Sequence, residues 1–269
     1  MTRKILTYAL LILSALVVFG PLLYTLSISF MDGKDVHSGA LLPSSLSFAN
    51  YVKAASNVPL LQFLSNSFVQ SSIVTIGMLV TCSLAAFAFV FIDFKGRTLI
   101  FFIVISTMMI PWEATIIPNF ATIRDLGWMN TFAGLTVPKL ATAFGIFLLR
   151  QYFLTIPKEL YEAAQIDGCG IFRFYLSMVL PLSKPMLATL AIYSFLTTWN
   201  EYLWPLLVTN NNDVRTVQIG LKMMQAQEAS TQWPTVMAAV VLVVLPTLLL
   251  LFIGQKQLQK GLTSGALKG

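Results

Sequence analysis

From Ile5 to Ser29 the chain runs for 25 residues without a charge, longer than the roughly 20 apolar residues that carry a helix across a bilayer. Comparable runs recur at about 64–92, 99–117, 132–149, 186–208 and 236–253. In lipid every backbone N–H and C=O must find its partner inside the protein, so runs of this kind are expected to be helices. The expected fold is therefore an all-α polytopic membrane protein with six transmembrane helices in one membrane domain, 1–269. Composition agrees, since 57% hydrophobic and 10% charged residues are too apolar a mixture for an ordinary soluble domain. The basic start, Arg3 and Lys4, could open a secretory signal, but the apolar run is too long and no small-residue cleavage site closes it. A retained first span is expected.

Two spans carry residues that lipid does not welcome. In the third, Pro111 frees a backbone carbonyl and Glu113 is a carboxylate, so the pair should face protein or a watery cavity, unless Glu113 sits at the interface where the cost falls away. Both readings stand. In the fourth, Lys139 is expected to snorkel to the nearer surface. The second span is rich in Ser, Thr, Ala and one glycine, Gly77, small residues that let membrane helices approach closely. A net charge of +6 does not point to nucleic acid, because the basic residues gather at the ends of apolar runs. Counting Lys and Arg by side gives eleven with the termini against six opposite, so both termini are expected in the cytoplasm. His37, Cys82 and Cys169 are too few and too scattered for a metal site or a disulfide.

One polar stretch, about 150–185, separates spans four and five on the cytoplasmic side of that count. Pro157 suits a helix start, and Leu160, Ala163, Ala164 and Asp167 follow at i, i+3, i+4 and i+7, on one face. Two alanines make that face thin enough for close approach, while Glu159 and Glu162 beside it offer acceptors for an arginine fork. Gly168 and Gly170 turn the chain, and a second helical run, 171–180, ends at Pro181 and Pro185. The pattern is a helix-turn-helix.

These residues carry a resemblance. Glu162-Ala163-Ala164, Asp167-Gly168 and Leu180-Pro181 resemble the EAA loop of binding-protein-dependent ABC importer permeases. Trp199 to Leu206, WNEYLWPL, and the tail from Gly261 to Gly269, GLTSGALKG, resemble the carbohydrate-uptake subgroup, which includes the maltose and glycerol-3-phosphate importer permeases. Cys169 departs from the alanine common there, with a side chain nearly as small. The resemblance implies that the loop is a coupling helix seated on an ATPase subunit, with Glu162 its charged contact and Ala163 and Ala164 its close-packing face. It further implies Gly168 as the turn, Asp167 as a cap or second polar contact, and the tail at Gln255 and Lys256 as either a second ATPase contact or a solvated end. Implied partners are a second, similar permease subunit, an ATPase dimer, an extracytoplasmic solute-binding protein and membrane lipid.

The chain has no G-x-x-x-x-G-K-[ST] loop, so no cofactor is expected on it, and ATP and Mg are expected on the partner ATPase. For the solute, Asn200, Glu201, Tyr202 and Trp204, with Glu113, combine aromatic faces with amide and carboxylate groups suited to sugar rings. The rival reading of the same residues is an interfacial aromatic belt. A carbohydrate is expected as solute, with glycerol 3-phosphate or its diesters as the alternative. A transport subunit rather than an enzyme is expected, and a stand-alone secondary transporter would need ion-coupling charges that spans one, two and six do not carry.

Overall fold

Apolar runs become helices, but prolines and side-chain caps decide where they break. The computed structural model describes residues 2–228 and 232–266. Among the described residues, Lys4–Ser29, Leu60–Phe91 and Trp233–Gln257 are long and apolar enough to cross a membrane unaided, and three bent helix pairs, each counted as one span, bring the number to six. The expected third span is not one helix: Arg97–Met109 and Trp112–Asp125 meet at 99°. Ile110 is extended there (ψ 114°), as the residue before a proline prefers. The fourth breaks between Phe132–Lys139 and Ala143–Phe153, bent by 46°, where Thr142 takes over as cap by accepting from the Gly145 N–H at 3.1 Å. Ile171–Leu182 joins Lys184–Trp199 at 78°. The last helix runs on through Ala266, so Gln255 and Lys256 extend a helix rather than an irregular tail. Residues 267–269 of the tail resemblance lie outside the described residues.

By packing, the described chain divides into two compact units. The first takes residues up to 65 and 216–247. In it the segment after the first helix folds back on the helix end: Asn50 Nδ2 donates to Ser29 O (3.0 Å) and Met31 O (2.9 Å), satisfying carbonyls a helix C-terminus leaves free. Phe30, Phe48 and Tyr51 close over this point with ring centroids 5.3–6.2 Å apart. Beyond it, the Ser44 N–H and hydroxyl both donate to Asp35 and hold its carboxyl below the usual value.

The second unit takes 66–215 and the end of the last helix. Its core joins the second span to the 150–185 loop through Phe87, Phe153, Ala164, Phe174 and Tyr175. A smaller cluster, Ile116, Ile123, Leu135, Trp204 and Val208, packs the second half of the broken third span. There Gly134 sits under the Trp128 carbonyl, where an added Cβ would lie 2.4 Å from a backbone oxygen. At Gly77 the closest contact of the Cβ would be a terminal methyl of Leu140, 2.4 Å away on a side chain that can swing aside, with no backbone atom among its nearest neighbours. Gly134→Ala is therefore expected to destabilise the purified protein by about 1–3 kcal/mol, and Gly77→Ala by clearly less. Thermal unfolding of the two variants side by side checks the ranking.

Candidate functional site

The 150–185 loop folds as its turn chemistry demands. Lys158–Ile166 is helical, with Pro157 just before it and Glu159 in its first turn. It ends in a Schellman motif: Gly168 takes φ +69°, the Cys169 N–H donates to Ala164 O at 2.8 Å, and the Gly168 N–H donates to Gln165 O at 3.0 Å. Asp167 holds the C-cap position, and its side chain is exposed. After Gly170, Ile171–Phe174 leads into a widened π turn, Tyr175–Val179, where the Leu180 N–H reaches back five residues to Tyr175 O. Pro181 explains its position, because a proline ring collides with the carbonyl four residues earlier and a wider turn relieves it.

Burial redraws the face that spacing suggested. Ala164 is 2% exposed and belongs to the chain's own core, so it is not part of an outward face. What points outward is Glu159, Glu162, Ala163 and Ile166, again i, i+3, i+4 and i+7, with Ile166 86% exposed. The inward side is anchored by aromatic contacts. Tyr161 lies 4.9 Å from Phe174 and 5.8 Å from Phe91, and Tyr175 donates to or accepts from Ser83 at 2.7 Å. The helix is thus welded to the end of the second span, while its other face is uncovered. Leu180 is half-buried and Pro181 exposed beyond it.

A second site lies among the spans. A half-open cavity of about 380 Å³ is lined by Trp112, Lys139, Thr142, Tyr193, Thr197 and Glu201, with Val74 and Met78 among the apolar walls. Lys139 does not snorkel: its ammonium donates to Glu201 Oε1, and the two side chains are only 16% and 13% exposed. It also stands 4.9 Å above the Trp112 ring. Of the five expected pathway residues, Glu201 alone lines this cavity. Trp204 is 0% exposed, with its indole N–H on Gly134 O at 3.1 Å and its ring 5.7 Å from Trp112, so it is a packing residue that supports the wall. Asn200 ends the helix Lys184–Trp199 by donating to Leu196 O at 2.8 Å. Tyr202 is half-buried and Glu113 exposed, neither in the lining. Trp112, Tyr193 and Thr197 were missed, although an aromatic beside Pro111 and a threonine pair before the Trp199 signature were visible cues.

The chain thus combines a loop helix with one uncovered face and a polar cavity between broken spans, and the family to which it belongs is settled by comparison. Residues 73–264 match the family of the binding-protein-dependent transport system inner membrane component. The chain belongs to that family. It is 40% identical over 269 residues to the sn-glycerol-3-phosphate transport system permease protein UgpE of Agrobacterium fabrum, covering 96% of this chain and 95% of that one. The corresponding protein of Brucella abortus is 40% identical over 265 residues, covering 95% and 94%. Among solved structures, a chain of a bacterial ABC transporter involved in import of the acidic polysaccharide alginate superposes with TM-score 0.85 at 26% identity, covering 95% of this chain and 96% of that one. The resemblance first carried by the EAA-like residues is thus that of a family member. This inner-membrane transport component is a permease, not an enzyme.

Proposed function

We propose that the chain is one of two similar permease subunits of an ABC importer, docked through Glu159, Glu162, Ala163 and Ile166 onto an ATPase dimer that binds ATP and Mg, and supplied by an extracytoplasmic solute-binding protein. The observation that carries this is the uncovered coupling face: an exposed isoleucine between carboxylates, outside the spans, on a helix whose opposite side is locked to the core. Closure of the ATPase dimer would push on that helix, and the Tyr161, Phe174 and Phe91 contacts would pass the movement to the second span. Both termini and the loop lie in the cytoplasm in this reading. Gln255 and Lys256, exposed on the last helix, offer a second contact.

The solute is a carbohydrate-type molecule. Trp112 and Tyr193 supply ring faces and Thr142 and Thr197 hydroxyls, while Lys139 is already neutralised by Glu201 and so offers no spare charge to a phosphate. The similarity to sn-glycerol-3-phosphate transport permeases favours a second reading, glycerol 3-phosphate, which would have to draw Lys139 away from Glu201. ATPase stimulation of the reconstituted complex, with its binding protein and either neutral sugars or sn-glycerol 3-phosphate, separates the two. Stimulation by neutral sugars alone is expected. Stimulation by glycerol 3-phosphate alone would overturn the carbohydrate reading.

A further inference from the structure

Three span ends meet beside the coupling helix. Phe89 to Phe91 close the second span, Arg97 opens the third, Arg150 and Phe153 end the fourth, and together with Lys158, Tyr161 and Glu162 they line a cavity of about 210 Å³. Three cations face one carboxylate, and among the described residues no ion pair joins any of them. Arg97 donates only to the carbonyl of Ile92, at 3.2 Å. Arg150 lies 4.0 Å from the Phe101 ring centroid, and its buried Nε has no hydrogen-bond partner. Two guanidiniums so placed carry an unmet demand for an anion, and their planar forks suit the paired oxygens of a phosphate. The setting narrows the source. The cavity lies at the ends of spans, where lipid headgroups would sit, and beside it Leu99, in the first turn of the third span, is 65% exposed and apolar where an acyl chain would run. Basic pockets between membrane helices are a known way of holding acidic headgroups.

We propose that this cavity binds the phosphodiester headgroup of an anionic phospholipid, with Arg97 and Arg150 as its ligands and Lys158 as the outer cation. The site is distinct from the solute cavity around Lys139, and it requires only that the chain sit in a membrane, not that the transport reading be correct. A lipid bound there would rest against the helix that meets the ATPase, beside Glu162.

The test uses the whole complex reconstituted in phosphatidylcholine bilayers doped with phosphatidylglycerol, then re-extracted, with the retained lipid quantified by mass spectrometry. Native protein is expected to enrich phosphatidylglycerol. Arg97→Gln, Arg150→Gln and the exposed, fold-neutral Lys158→Gln are each expected to lower that enrichment about fivefold, as loss of one cation near a headgroup predicts. Arg124→Gln, in the last turn of the helix Trp112–Asp125 and not among the residues lining the cavity, leaves it unchanged. Equal enrichment in all variants overturns the proposal. So does displacement of the lipid by millimolar inorganic phosphate, which would mark a site for a free anion. A variant that releases the ATPase while retaining its lipid would also overturn it, since the cations would then serve a protein carboxylate.

Discussion

Lys139→Met, made alone, is expected to lower the stability of the purified complex by about 3–5 kcal/mol, the usual result of leaving one member of a buried ion pair without its partner. Glu201 would then be a carboxylate only 13% exposed, and its second oxygen, Oε2, already has no hydrogen-bond partner. The double variant Lys139→Met with Glu201→Leu removes both charges together and is expected to recover most of the loss, because apolar residues of similar volume commonly replace a buried pair without penalty. Transport should not recover with it, since the cavity would lose both of its charged walls. Thermal-shift curves and solute uptake for the two variants give the comparison. Equal midpoints for native and Lys139→Met would show that water reaches the pair in the working complex.

Ile166→Asp carries the second large effect. The side chain is 86% exposed on a helix whose other face is packed, so the fold has little to lose by its replacement. A partner that buries it would lose an apolar anchor and meet a new charge beside Glu159 and Glu162. Such central anchors commonly account for 2 kcal/mol or more of an interface, about a thirtyfold change in affinity. The expected outcome is a chain that inserts and unfolds like the native one yet retains the ATPase poorly and shows no solute-stimulated hydrolysis. Glu162→Ala should act in the same direction with a smaller effect. Normal stimulation in Ile166→Asp would remove this face from the coupling mechanism.

Local chemistry was legible wherever one short segment decided the outcome. Leu60–Phe91 follows from an uninterrupted apolar run, and the turn at Gly168 from a glycine placed just after a helix, with the N–H groups of Gly168 and Cys169 turning back onto its last carbonyls. Whatever depended on distant residues was not. Lys139 finds Glu201 across 62 positions, and no periodicity within either span announces that pairing. The direction in which Ala164 points was also hidden, since spacing places 160, 163, 164 and 167 on a common side without saying whether that side meets the core or solvent. Trp204 of the WNEYLWPL run misled for a related reason: an indole suits a sugar or a packed wall equally well, and only the Gly134 carbonyl at 3.1 Å identifies the second. The kinks at Pro111 and Thr142 divide spans that hydropathy alone joins.

The pairing of Lys139 with Glu201 has an electrical consequence. Among the described residues, the two charged side chains lining the cavity are paired with each other, so in the proposed transport cycle swinging that cavity from one face of the membrane to the other carries no net charge of its own through the field. A single uncompensated charge would exchange about 2.3 kcal/mol with each 100 mV of membrane potential. With a neutral passenger, the proposed movement of this cavity would be indifferent to voltage.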